Sequence, residues 1–304
     1  MTWLLVLAVG QVAAFELVRR VFVGTVRGQQ LDTIALAGNA IGSGHIAGLV
    51  STVLNTVSVL SVIIAVVAIV FIALMRGRVS QAVVATVMIV GANVTTQLLK
   101  AVIARPDVGV DPERVVAGNS LPSGHTTVTA SVVVALVLVL PPAARAVAAL
   151  AGAVITALVG VATVSADWHR PSDVVAALLL VGAWAAVAGA VLALLRRDPP
   201  GAPGGDRHGG RHGGGRGDLP HRVAVMSLAL AGFGLLVVAV VALATTDEMR
   251  HAPVDTLSRA RLFVAYSGSA AGIAGVASAV MALVLATVHR VVPASRLLVN
   301  AARR

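Results

Sequence analysis

The sequence contains no cysteine, and few of its residues are charged or aromatic. Of its 304 residues, 12% are charged and 3% are aromatic. Without cysteine the chain has no disulfide, no thiolate metal site and no cysteine nucleophile. Soluble domains carry about 25% charged residues, because a surface that faces water needs polar groups. The low charge therefore excludes a soluble globular enzyme, and the high apolar content excludes a collagen-like fibre and a disordered tail.

What the chain does have is apolar residues, which make up 58% of it. A helix needs about 20 such residues to cross a bilayer. Long apolar runs, each bounded by charge, proline or glycine, occur at 3–24, 49–75, 80–103, 125–142, 144–166, 172–195, 223–245 and 264–289. We therefore predict an all-α, polytopic membrane helix bundle. The first run could instead be read as a cleaved signal peptide, but neither Lys nor Arg precedes it, which favours a retained helix.

The composition divides the chain into three parts. We predict a six-helix membrane core at 1–195, a flexible Gly/Arg/His-rich linker at 196–222, and two additional transmembrane helices with a basic tail at 223–304. Nine glycines fall between residues 201 and 217, which is typical of a linker that buries no core.

Three local patterns in these parts need interpretation. His208 and His212 resemble metal ligands, but a segment without regular structure does not preorganise them, so we favour a solvated linker. In the final helix pair, Gly268 and Gly272 form a GxxxG pattern, which favours close helix packing. Ser43-Gly44-His45 resembles a phosphate-binding turn but lacks a preceding proline, and we interpret it as loop packing.

The net charge of +10 has two interpretations, nucleic-acid binding or membrane topology. No basic patch is interleaved with aromatic residues, so we predict no nucleic-acid partner and assign the excess to loops that face anionic lipid. If the eight runs alternate in direction, one side of the membrane collects 13 of the 23 Lys and Arg residues. This side is predicted to be cytoplasmic, although Arg19 and Arg20 lie on the opposite side.

Three polar clusters interrupt the apolar pattern, on the loops after the third and fifth runs. They are Lys100–Pro106, Asn119–His125 and Asp167–Asp173. Ionisable groups at the edge of hydrocarbon are costly and usually functional. Because both loops face the same side of the membrane, we expect the three clusters to form one site.

The residue types in the first two clusters suit a phosphate group. Lys100 offers a point charge, and Arg105 offers a planar fork of N–H donors that matches phosphoryl oxygens. Ser123 and Gly124 precede a helix whose free N–H groups and positive dipole end attract anions. We therefore predict these four residues as phosphate ligands.

The two histidines supply the reactive groups. His169 precedes a helix that Pro171 begins, and Asp173 lies in its first turn. A carboxylate bonded to one ring nitrogen leaves the other nucleophilic, as in a catalytic triad. His125 is then available as the general acid. These residues suffice for phosphoryl transfer, and we predict no metal and no cofactor.

The same residues resemble the type 2 phosphatidic acid phosphatase superfamily of integral membrane phosphatases. Its PSGH motif is intact at Pro122–His125, and its H-x3-D motif is intact at His169–Asp173. The resemblance covers roughly residues 50–195 and implies a six-helix core. It also implies a phosphohistidine intermediate on His169, with His125 as the acid and Asp173 as the orienting base.

Two positions depart from that family. Asp107 stands where many members have a second arginine in the first motif, and Thr163 stands where the third motif has its arginine. Arg170, next to His169, is a candidate replacement as a phosphate ligand. Asp32 and Trp168 are candidates for the mouth of the site, and residues 107–114 read as a solvated loop at its rim.

We therefore predict a multi-pass membrane phosphatase with an extracytoplasmic site. Its partners are membrane lipids and a lipid phosphate monoester or diphosphate substrate, and no oligomeric state is predicted. A transferase that passes the phosphoryl or head group to an alcohol is an alternative. A catalytically weakened lipid-phosphate binder is another, suggested by Asp107 and Thr163.

Overall fold

The computed structural model describes residues 2–40, 59–111, 118–195 and 219–291, and also residues 48, 50, 52 and 54. Nine α-helices occupy these residues: α1 Thr2–Val18, α2 Val26–Ala37, α3 Val59–Met75, α4 Val79–Val102, α5 Gly124–Val139, α6 Pro142–Ser165, α7 Pro171–Leu194, α8 Leu219–Met249 and α9 Arg259–Val291. The chain is all-α over this described part, as predicted. Residues 196–218 of the predicted linker, the tail from 292 and the Ser43-Gly44-His45 turn lie outside it.

Five of these helices are long and apolar enough to cross a membrane, namely α4, α6, α7, α8 and α9. The protein is therefore a multi-pass membrane protein. Two of the eight predicted spans form shorter helices. The run at 125–142 ends at Val139, because the helix stops before Pro141 and Pro142 begins α6. In the run at 49–75, α3 covers Val59–Met75, and several residues of the run before it lie outside the described part.

The first predicted span is also a helix, with a change of geometry at its end. α1 continues as a π-helical turn at Arg19–Val23. Glu16 forms ion pairs with Arg19 and Arg20, each at 2.6 Å. The pairing predicted from their i,i+3 and i,i+4 spacing is confirmed.

Helix α2 was not predicted, because the apolar runs assign no element between residues 24 and 49. Its first turn is capped by Thr25, whose side chain accepts a hydrogen bond from Gly28 N at 3.0 Å. The helix buries polar side chains, Gln29 and Asp32, which hides it from a search for apolar runs. It packs against α7, α8 and α9 at the same end of the bundle as the three polar clusters.

The two C-terminal helices are part of the bundle. α9 packs against α8, α6 and α7, and Tyr266 of α9 shares a hydrogen bond of 2.6 Å with Ser165 at the end of α6. A Cβ atom on Gly268 would lie 2.1 Å from that of Ala242 on α8, so the two helices touch at this glycine. The close packing predicted from the GxxxG pattern is confirmed.

Candidate active site

The site lies where α4 ends and where α5 and α7 begin. Ser123 caps α5, and its hydroxyl oxygen accepts hydrogen bonds from the backbone N and the hydroxyl of Thr126. Pro171 occupies the first turn of α7, and the carboxylate of Asp173 accepts a hydrogen bond of 3.0 Å from Arg170 N. Both helices therefore begin where the sequence predicts, and their N-terminal dipole ends lie at the site.

Asp173 is the centre of the cluster and is fully buried. Its Oδ1 accepts a hydrogen bond from Arg105 Nη2 at 3.1 Å, and its Oδ2 accepts one from Ser120 Oγ at 2.6 Å. Its backbone carbonyl accepts a hydrogen bond from Ser123 N at 2.9 Å. One residue thus connects all three sequence clusters.

His169 is buried next to this aspartate. Its Nδ1 lies 3.5 Å from Asp173 Oδ2, which is the distance of an ion pair and is longer than a hydrogen bond. The loop that carries His169 is held by Thr163, whose carbonyl accepts hydrogen bonds from the backbone N of Trp168 and His169 at 3.0 and 3.2 Å. The structure therefore brings His169 and Asp173 together, but the two side chains do not form a direct hydrogen bond. Catalytic contacts of this kind often shorten only when substrate binds.

His125 lies on the first turn of α5, half-buried, with its ring stacked at a tilt against Trp168. The two ring centroids are 5.2 Å apart. The charges of His125, His169 and Lys100 are close enough to interact. The two predicted catalytic imidazoles therefore share one site.

Arg105 combines one ion pair with N–H donors that have no partner in the described part of the chain. Arg105 gives Nη2 to Asp173, while its Nε and Nη1 are buried without a hydrogen-bond partner among the described residues. Burial lowers the pKa of Arg105, and the charge of Asp173 opposes that shift. Buried N–H donors are rarely left unpaired, so this guanidinium is suited to donate hydrogen bonds to a ligand oxygen.

Lys100 is half-buried at the end of α4. Its Nζ lies 3.7 Å from the point where a Cβ atom on Gly124 would stand. Glycine at position 124 therefore leaves the space in front of the ammonium open. Lys100, Arg105 and Ser123 all interact with Asp173, and Gly124 lies next to Lys100. Their role as phosphate ligands stays a prediction.

Arg170 is also brought to the site, with an interaction that the sequence does not reveal. Its Nη2 donates to Asp111 Oδ2 at 3.1 Å, and Arg170 is 2% exposed. Asp111 was expected to be solvated and instead forms this ion pair. Asp107 is exposed, and its side chain accepts a hydrogen bond from Gly109 N at 2.9 Å. Glu113 and Arg114, from the same predicted rim, lie outside the described residues.

Two site residues were missed or misplaced by sequence reasoning. Ser120, which bonds to Asp173, is adjacent to the PSGH motif but was given no role. Asp32 was assigned to the mouth of the site but is buried at 2% exposure, where it accepts hydrogen bonds from the backbone N and hydroxyl of Ser172. Trp168, by contrast, is 50% exposed, as expected for a residue at the mouth.

Comparison with known proteins gives one family match. Residues 81–197, which include α4 to α7, match the PAP2 superfamily. No curated protein and no solved structure matches the chain. Helices α1, α2, α3, α8 and α9 lie outside the matched residues.

Proposed function

The chain carries a PAP2 superfamily domain at residues 81–197, and from this premise we propose that it is a membrane phosphatase acting on lipid phosphates. Membership in this superfamily implies phosphatase-like activity. More specifically, we propose that it hydrolyses a lipid phosphate monoester or diphosphate through a phosphohistidine intermediate. The observation that supports it most is the pairing of His169 with a buried Asp173 that also contacts Arg105.

In the first step, Nε2 of His169 attacks phosphorus while the bond from phosphorus to the lipid oxygen breaks. Asp173 stabilises the positive charge that develops on the imidazole, because its carboxylate faces Nδ1. His125 donates a proton to the leaving alkoxide, which becomes a free lipid alcohol. When the substrate is a diphosphate, the leaving group is the remaining lipid monophosphate.

In the second step, water attacks the phosphohistidine and the bond from phosphorus to nitrogen breaks. His125, now neutral, accepts the proton of that water, and inorganic phosphate leaves. Lys100 and the free N–H groups of Arg105 neutralise charge on the equatorial oxygens in both steps. Such contacts, made in a site that excludes water, are usually the largest contribution to catalysis.

The location of the site supports a lipid substrate. The cluster lies at the end of α4 and the start of α7, both long enough to span a membrane, so it stands near the level of lipid head groups. The excess of Lys and Arg on the opposite ends favours an extracytoplasmic site in the cell membrane. The structure describes part of that opposite end, where Arg290 lies 5.5 Å above the ring of Trp3.

Two alternatives use the same residues. A transferase would pass the phosphoryl or head group to an alcohol instead of water. A weakened lipid-phosphate binder is suggested by Asp107 and Thr163, which replace arginines that relatives use.

The test measures the release of inorganic phosphate by the purified protein in detergent micelles. Phosphatidate, phosphatidylglycerophosphate and a polyprenyl diphosphate form the substrate panel. We expect turnover that survives EDTA and is inhibited by vanadate, which mimics five-coordinate phosphorus. Loss with EDTA and recovery with a divalent ion would contradict the proposed metal-free mechanism.

The same assay separates the alternatives. Product analysis with an added acceptor alcohol distinguishes a transferase from a hydrolase. If the protein binds these lipids and turns over none of them, the binder is the correct interpretation.

A further inference from the structure

Asp32 lies outside the PAP2 domain and contacts the domain's third motif. It stands on α2, and its Oδ1 accepts a hydrogen bond of 3.2 Å from Ser172 N. Its Oδ2 accepts a hydrogen bond from the Ser172 hydroxyl. Ser172 is the second residue of α7, where backbone N–H groups have no partner within the helix. Asp32 therefore caps, from another helix, the turn that carries Asp173.

We propose that Asp32 is a positioning residue, which holds the first turn of α7 through Ser172 and whose charge sets how strongly the site binds a phosphate anion. This inference rests on the proposed function, because the phosphate is that of the substrate. Asp32 does not contact the reacting atoms. It acts through Ser172 and through its field.

Asp32 has charged groups on one side and a cavity of otherwise uncharged described residues on the other. On one side are Asp173 of α7 and Arg105 of the segment after α4, both within electrostatic range. On the other side is a cavity of about 170 Å³, in whose lining Asp32 is the one ionisable residue among those described. α8 and α9 line that cavity with apolar and uncharged side chains such as Leu236, Thr246 and Ser269. Asp32 is thus 2% exposed and lies within electrostatic range of a second carboxylate.

This environment places the titration of Asp32 near neutrality. Burial and then the charge of Asp173 raise the pKa of Asp32 to about 7, against the opposing effects of Ser172 and Arg105. Below that pH Asp32 is neutral, and the cations Lys100 and Arg105 outnumber the single carboxylate Asp173. Above it the site gains a negative charge. Its affinity for an anion therefore falls as the pH rises through this range.

The test compares wild-type protein with Asp32→Asn, which keeps groups that can bond to Ser172 but cannot ionise. Hydrolysis of dioctanoyl phosphatidate gives KM and kcat from about pH 6 to about pH 8.5, and calorimetry gives the Kd of vanadate over the same range. We expect KM and Kd of the wild type to rise by on the order of tenfold more than those of Asp32→Asn. Asp255→Asn makes the same change at an exposed carboxylate and serves as the control.

The capping role has its own variant. Ser172→Ala removes the side-chain hydrogen bond but keeps the backbone one, and it should lower kcat by on the order of tenfold. Because the lost hydrogen bond opposes the raised pKa of Asp32, the rise of KM should also move to a higher pH than in the wild type. If Asp32→Asn and wild type have the same pH profiles of KM and of vanadate Kd, the inference is overturned. If the wild type binds vanadate with the expected pH dependence but hydrolyses no lipid, the proposed function fails and the inference stands.

Discussion

The backbone N–H of Ser123 donates a hydrogen bond of 2.9 Å to the carbonyl oxygen of Asp173. The first of these residues begins α5 and the second lies in the first turn of α7, fifty positions later in the chain. This bond fixes the two helix N-termini side by side, so that both dipole ends face the same region. An anion bound there meets two helix ends together with Lys100 and Arg105.

Replacing either histidine should abolish phosphate release. His169→Ala removes the nucleophile and His125→Ala removes the general acid, and each should reduce kcat by at least about 10³. Because catalytic residues act as a unit, the double variant should be little worse than either single one. Phosphate release in detergent is the measurement, with His251→Gln, at an exposed loop position, as the matched control. Near-normal turnover by His169→Ala would contradict the covalent mechanism.

Arg105→Lys should lose activity, whereas Arg105→Ala should also lose stability. Lysine keeps a cation beside Asp173 but lacks the free Nε and Nη1 donors, so kcat/KM should fall by about 10² while the protein stays folded. Alanine leaves Asp173 buried without its cation, which costs about 3–5 kcal/mol of stability. Thermal unfolding and kinetics on both variants separate the two effects. Arg261→Lys, on the exposed side of α9, is the control. Equal kinetics for wild type and Arg105→Lys would remove Arg105 from the phosphate ligands.

Substitutions of Arg170 and Asp111 should change kcat/KM to different extents if Arg170 contacts the phosphate. Arg170→Ala should lower kcat/KM by on the order of 10². Asp111→Asn breaks the ion pair but keeps the cation, so kcat/KM should stay within about threefold of wild type. Kinetics on both single variants and the double variant provide the measurement. Equal losses for both single variants would mean that the ion pair only holds the loop in place.

Stability should depend on pH through Asp32. Because the folded protein raises the pKa of Asp32 to about 7, the folded state holds this proton over a pH range in which the unfolded chain has released it. The stability that this proton confers is full below about pH 4 and is lost as the pH rises through 7. The unfolding temperature of Asp32→Asn minus that of wild type should therefore be larger at pH 8 than at pH 5, by a few degrees. A difference that is constant with pH would contradict the shifted titration.

The cluster of candidate site residues was predictable because each of its motifs is a short continuous string of residues. Pro122–His125 and His169–Asp173 are short strings, and the alternation of apolar runs places them at one end of the bundle. The structure brings them together as expected. Their roles in catalysis stay predictions, while the meeting of His125, His169 and Asp173 is confirmed.

The residues that support the site were not predictable in the same way. Asp32 and Ser172 are separated by 140 positions, and neither belongs to a pattern that indicates the other. Helix α2 escaped detection because its buried face carries Gln29 and Asp32, whereas hydropathy reports only apolar faces. Asp111 was expected to be solvated because its loop is polar, and only the folded chain shows that it reaches Arg170.

The hydrogen bond between Tyr266 and Ser165 connects α9 to the end of α6, just before the loop that carries His169. Ser165 stands four residues before His169, and Tyr266 stands on a helix of 33 residues, about 50 Å long, which exceeds the thickness of a hydrocarbon core. A helix of this length tilts more in a thin bilayer than in a thick one. A tilt of α9 moves the tyrosine and, through it, the segment that leads to His169. We therefore expect turnover by the proposed mechanism to depend on the acyl-chain length of the host lipids, and turnover in bilayers of graded thickness measures this dependence.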